Sequence, residues 1–176
     1  MIYFTADLHL GHEAILRHMP LRRHCFGTIE HMNDAIIDKI NLVVGRKDAL
    51  WILGDLFWKA RTAGHFRQRI NCREVHVVQG NHDAGSLRQH FSSMALMVAK
   101  VFDGVPFHMC HFPMRSWAKM EHGGRHLHGH CHGRLARVRG ALDVGIDNAC
   151  RLFGTWRPFS LSEVIQLTSD WEQING

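Results

Sequence analysis

Asp7, His9, Asp55, Asn81, His111, His130 and His132 are two carboxylates, four imidazoles and one amide, and they stand at or just beyond the ends of short apolar runs. A mixed nitrogen and oxygen set of this kind suits Mn²⁺, Fe²⁺ or Zn²⁺. Mg²⁺ and Ca²⁺ want more oxygen, and structural Zn²⁺ wants thiolates. Seven donors exceed the needs of one ion, whereas two ions sharing a carboxylate fit, with Asp55 as the natural bridge. Two dications less two carboxylates and a bridging hydroxide leave a net positive centre that attracts phosphate. Paired ions about 4 Å apart can activate the bridging hydroxide and stabilise both oxygens of an in-line displacement. His82, beside Asn81 and not needed as a ligand, is placed to give a proton to the departing alkoxide. The chemistry expected is hydrolysis of phosphomonoesters or phosphodiesters.

Three strands have to aim these groups at one point. Ile2 to Thr5 reads as a buried strand that delivers Asp7 and His9, on one side if the extended path continues. His12 follows, where it either touches substrate or starts a helix. Leu50 to Leu53 is a strand apolar on both faces, the mark of a parallel sheet covered by helices, and Gly54 lets the Asp55 carboxylate come close to a ligand cluster. Val75, Val77 and Val78 form the third strand, and Gly80 turns the chain so that Asn81, His82 and Asp83 leave the sheet together. Between them, Thr28 caps a helix that carries Ile29, Met32, Ile36, Ile37, Ile40, Val43 and Val44 at helical spacing up to Gly45. Ala63, Phe66 and Ile70 mark a return helix.

The pattern changes after Leu87. Asp103-Gly104 between two apolar runs signals a hairpin, so the second half is expected to be antiparallel. Pro113 stops the outgoing strand with His111 at its end, and alternation places His108 on the opposite face. In His126-Leu127-His128-Gly129-His130-Cys131-His132, His130 and His132 share a side, while His126 and His128 read as packed residues. Ala141 to Ile146 reads as a further strand, and Ser160 to Glu163 has capping-box spacing ahead of a last short helix.

At 176 residues and 45% hydrophobic, residues 1–176 are expected to form one domain. No apolar run has the length of a bilayer span and the start lacks signal-peptide character, so the expected location is the cytoplasm, with no membrane partner. Five cysteines without Cys-x-x-Cys spacing fit reduced thiols, with Cys110 and Cys131 acting as small apolar residues. A formal charge of +5 suits an anionic partner, and sixteen histidines raise the prior for a metal site. The chain lacks the phosphate loop, the Gly-x-Ser-x-Gly elbow and the dinucleotide glycine fingerprint, which removes several enzyme classes.

Asp7-Leu8-His9, Gly54-Asp55, Gly80-Asn81-His82-Asp83, His111 and Gly129-His130-Cys131-His132, in that order, resemble the calcineurin-like metallophosphoesterases, in particular their small bacterial and phage phosphoesterase branch. The resemblance implies a mixed α/β fold, a four-layer α-β-β-α sandwich of two facing mixed sheets with the metal site at strand ends. It also implies a metal-dependent phosphoric ester hydrolase. By the same resemblance Asp7, His9, Asp55 and His132 bind one metal, Asp55, Asn81, His111 and His130 bind the other, and His82 is the acid. Two divalent ions are expected, Mn²⁺ ahead of Fe²⁺, Zn²⁺ or Ni²⁺. Arg115, shortly after His111, is either a phosphate contact or an exposed structural arginine. The alternatives are a nuclease that uses the same site on DNA or RNA, for which Arg134, Arg137 and Arg139 would form the basic patch, and a non-catalytic binding scaffold.

Overall fold

Short apolar and β-branched runs become strands here, and the longer stretches between them, apolar every third or fourth residue, become helices. The structure is a computed structural model and describes residues 1–169, so the stretch 170–176 of the expected domain lies outside the described residues. Strand β1 (Ile2–Thr5) leads through two short helices, α1 (Ile15–His18) and α2 (Pro20–Phe26), into the long helix α3 (Ile29–Val43). Thr28 Oγ1 caps α3 by accepting the His31 N–H at 3.2 Å. Strand β2 (Ala49–Ile52), helix α4 (Ala63–Arg69), strand β3 (Glu74–Val78) and the short strand β4 (Ser93–Ala95) follow. The hairpin of β5 (Met97–Phe102) and β6 (Val105–Cys110) precedes β7 (Arg125–His128), β8 (Ala141–Asp143), α5 (Ile146–Phe153), β9 (Phe159–Ser160) and α6 (Leu161–Ser169).

The strands form two sheets, ordered β4-β3-β2-β1-β9 and β5-β6-β7-β8. In the first, β1 to β4 are parallel and β9 is an antiparallel edge. In the second, only the β5-β6 hairpin is antiparallel; β6, β7 and β8 run parallel, contrary to the antiparallel second half expected from the hairpin signal. The long connections 111–124 and 129–140 carry the chain back before each new strand, which is what parallel pairing requires. The strand expected over Ala141 to Ile146 also ends early, at Asp143. There the Asp143 carboxylate accepts the Gly145 N–H at 2.7 Å, and Ile146 opens α5.

Alternation along the strands splits the core in two. Tyr3, Leu50, Ile52, Val75 and Val77 face Met32, Ile36, Ile37 and Ile40 of α3. Phe4, Trp51, Leu53 and Val78 face Phe107, Met109, Leu127 and Leu142 of the second sheet, with Ala149 of α5 and Val164 of α6 joining that layer. The result is an α-β-β-α sandwich of two facing mixed sheets. At about 1.5–3 kcal/mol for each buried large apolar side chain, these two layers hold the strand ends rigidly enough to build a site on. Among the described residues no helix is long and apolar enough to cross a membrane. All five cysteines are free thiols; Cys110 and Cys131 are half-buried, and burial pushes the Cys131 thiol up, which keeps it protonated.

Candidate metal centre

Beyond their last strand residues, β1 and β2 go on running side by side. Asp7 N–H donates to Gly54 O at 3.0 Å, His9 N–H to Asp55 O at 2.9 Å and Leu10 N–H to Leu56 O at 2.9 Å. The path is not the extended one expected, because Asp7, His9 and Asp55 all take left-handed backbone conformations (φ 57°, 51° and 54°). His130 and His132 do the same, with φ of 68° and 51°. Among the described residues seven non-glycine positions have positive φ; five are these candidate ligands, and the other two are Asp103 and Lys119. Such conformations cost about 1–3 kcal/mol each and persist where the surroundings over-determine them, typically at functional sites.

The side chains gather in two groups. Donor atoms of Asp7, His9 and His132 lie within 4.8 Å of one another, as do those of Asp55, His111 and His130. Asp55 joins the two, its Oδ2 standing 3.7 Å from His9 Nε2 and 3.5 Å from His111 Nε2. Asn81 belongs to the second group, its Oδ1 lying 3.1 Å from His111 Nε2. His82 Nε2 is 4.0 Å from Asp55 Oδ2, and the His82 N–H donates to Asp55 Oδ1 at 3.0 Å. Of the other two sequence candidates, His12 borders the first group: it is buried beneath the Trp58 ring with its Nδ1 3.5 Å from His9 Nδ1. Arg115 is exposed on the segment after β6.

These donors fit divalent cations. Asp7 Oδ2 and His9 Nε2 are buried without any hydrogen-bond partner, which leaves an uncompensated cost of about 1–3 kcal/mol for each unless a cation completes them. The ring nitrogens are presented as metal ligands are. His111 Nδ1 lies 2.8 Å from Leu53 O and His132 Nδ1 lies 2.7 Å from Asp147 Oδ2, so each ring donates backwards and turns Nε2 to the centre. Spacings of 3.5 to 4.0 Å around Asp55 Oδ2 are at or beyond hydrogen-bond range and leave room for an ion between the ligands.

The electrostatics agree. Burial pushes Asp7 up to about 7, opposed by the His132 imidazole. Burial likewise pushes His9 and His130 down. Burial opposes the charge on Asp55 and on His111, but their attraction across 3.5 Å wins, holding the carboxyl at about 2 and the imidazole at about 8. Burial thus keeps Asp7 from holding its charge and leaves His9 and His130 with free ring lone pairs, the state in which imidazoles bind a cation.

Two supports were not apparent in the sequence. Arg22 of α2 is fully buried, and its guanidinium makes two bonds to Asp147 of α5, at 2.9 and 2.6 Å. The same group donates to Leu8 O at 3.1 Å and to Asp7 O at 2.5 Å. One cation therefore fastens the Asp7–His9 loop to the carboxylate that orients His132. Asp83 accepts the N–H groups of Asp55 (2.8 Å), Leu56 (3.0 Å) and Gly80 (2.9 Å), tying the loops after β2 and β3 together. Asp83 adjoins His82 and could have been singled out by position. Arg22 and Asp147 look in the sequence like ordinary charged helix residues, and only their burial gives them away.

No family model matches the chain. An uncharacterized protein of Methanocaldococcus jannaschii is 30% identical over 176 residues, covering 94% of this chain and 90% of its own length. The gene 66 protein of Mycobacterium phage L5 is 28% identical over 188 residues, covering 85% and 88%. The crystal structure of a protein of unknown function from Aquifex aeolicus shares the fold, with a TM-score of 0.73 at 19% identity over 95% of this chain and 98% of that one. The E. coli phosphoesterase Yfce gives a TM-score of 0.46 at 19% identity, covering 82% and 77%.

Proposed function

We propose that the chain is a calcineurin-like metallophosphoesterase, a metal-dependent hydrolase of phosphomonoesters or phosphodiesters. The observation that carries the proposal is the pair of donor groups joined at Asp55, with Asp7 Oδ2 and His9 Nε2 left without hydrogen-bond partners. Asp7, His9 and His132 would hold one ion, and Asn81, His111 and His130 the other, with Asp55 common to both. Two divalent ions, Mn²⁺ by preference, would supply an activated water and electrophilic contacts to the phosphoryl oxygens when bound.

The protein's own groups do the rest. Asp55 Oδ1 holds the His82 backbone N–H, which anchors the main chain there and leaves the His82 ring beside the shared carboxylate. That ring is partly exposed, so it can meet the leaving oxygen from the solvent side. As the phosphorus–oxygen bond breaks, His82 Nε2 passes its proton to the departing alkoxide, and water supplies the new oxygen on phosphorus. His111 and His132, pinned through Nδ1, keep their Nε2 lone pairs aimed inward without side-chain rearrangement.

The test is metal analysis combined with turnover of aryl and alkyl phosphate esters in Mn²⁺ for the wild type, Asp55→Asn and His82→Ala. Asp55→Asn should lose tightly held metal and nearly all activity. His82→Ala should keep the metal and lose about 10²–10⁴-fold, more with alkyl than with aryl leaving groups, because only the former need the proton. Equal turnover in all three proteins ends the proposal.

A further inference from the structure

Two large aromatic side chains stand open to solvent on either border of the metal-ligand cluster. Trp58 is 41% exposed although its ring lies flat on His12, with centroids 3.7 Å apart and planes within 3°. His12 covers one face, so the exposed area includes the other. The main chain beneath the indole is held in place, because the Trp58 backbone N–H donates to Leu10 O at 3.0 Å and Phe57 bridges to Leu10, and the ring itself is braced by His12. Its second ring neighbour is His82, 5.3 Å away. A leaving oxygen that takes its proton from His82 therefore has its next substituent within reach of Trp58. On the other border Phe112, 45% exposed, sits edge-on to His130 at 4.8 Å and to His111 at 5.1 Å. Lys59 and Arg61, both exposed, follow Trp58 in the chain.

Fixed, open aromatic faces beside a phosphate site, with cations next to one of them, suit flat rings joined by a phosphate. Resting on the phosphoesterase reading above, we propose that Trp58 and Phe112 are stacking platforms and that the substrate is an unpaired nucleotide phosphodiester, a dinucleotide or a single strand. A base on the leaving side stacks on Trp58 and its neighbour across the phosphate meets Phe112. Base–aromatic stacking tolerates any base, so the platforms select for a ring and not for a sequence. Paired bases have their faces covered by neighbours and are poor substrates.

The experiment compares thymidylyl-thymidine with its abasic counterpart, which keeps both sugars and the phosphate, in the wild type, Trp58→Leu, Trp58→Phe and Phe112→Leu. The wild type should prefer the base-bearing diester by kcat/KM. Trp58→Leu should cut that preference about tenfold, chiefly through KM, and Trp58→Phe should restore most of it. Binding is read separately by calorimetry on the Mn²⁺-loaded protein, using 5′-phosphonates of thymidine and of ribose, which have no phosphorus–oxygen ester bond to break. The thymidine analogue should bind about tenfold tighter, and this advantage should vanish in Trp58→Leu. A base-to-abasic ratio that Trp58→Leu leaves unchanged overturns the stacking proposal while hydrolysis stands. A wild type that turns over aryl phosphate esters but neither diester overturns the nucleotide diester as substrate while hydrolysis stands; one that turns over no ester overturns hydrolysis, and the phosphonate comparison then still decides whether Trp58 binds a base.

Discussion

Asp7 is the residue at which the need for a cation is sharpest. Its carboxylate is fully buried, and burial, the largest cause, raises it to about 7 against the pull of His132. With the folded value above the unfolded one, the contribution to stability of the metal-free protein is complete below about 4 and is lost as the pH rises through 7. In chelator at pH 8, Asp7→Asn should therefore melt above the wild type, and in excess Mn²⁺ the order should reverse. Calorimetric melts under the two conditions check both signs, and the same order in both would remove the carboxylate from the metal site. Arg22 and Asp147 pose a different question, since neither reaches the centre. Asp147→Asn keeps a side-chain oxygen near His132 but removes the ion pair, and metal affinity should fall about 10–100-fold, read by titration. Arg22→Met leaves Asp147 buried without its partner and should cost about 3–5 kcal/mol in urea unfolding.

At the scale of elements, the site depends on where strands stop. Gly54, with φ of 90°, and Gly80 lie back to back between the β2 and β3 ends; a Cβ on the first would run into His111 Nδ1, and on the second into Asp55 Oδ1. Gly54→Ala should both destabilise the fold and release metal, because its conformation and its space are each closed to alanine. Far from the site, α6 tests the chain's own start signal. Ser160 Oγ accepts the Glu163 N–H at 3.3 Å and Glu163 accepts the Ser160 N–H at 2.8 Å, a reciprocal cap braced by Arg157. The Arg157 hydrogen bonds hold Glu163 at about 2, below its unfolded value, so its contribution is present above about pH 4.5 and is lost as pH falls towards 2. Glu163→Gln should lower stability by roughly 1 kcal/mol at pH 7, and the gap in urea midpoint should close by pH 2 to 3.

For the whole molecule, two core layers meet at the strand ends, and ions held there would join what the layers bring together. Mn²⁺ at about 100 times its dissociation constant should stabilise the fold by about 2.7 kcal/mol for each independent site, and Asp55→Asn should remove most of that gain. Thermal melts across a Mn²⁺ series, with and without chelator, read it directly. A wild-type melting temperature indifferent to Mn²⁺ would leave the donor groups without an ion.

The first three strands, the capped helix α3, the hairpin at Asp103-Gly104 and the α6 cap were legible in the sequence, because each rests on contacts within a few residues of its signal. The seven candidate ligands were legible for a related reason: a carboxylate or imidazole placed just past an apolar run stands out against its neighbours. The parallel order of β6, β7 and β8, the early end of β8, and the work of Arg22, Asp83 and Asp147 were decided only in three dimensions. A crossover's direction and the burial of a charge depend on partners far away along the chain, 125 residues in the case of Arg22 and Asp147, and no local pattern marks such a pairing.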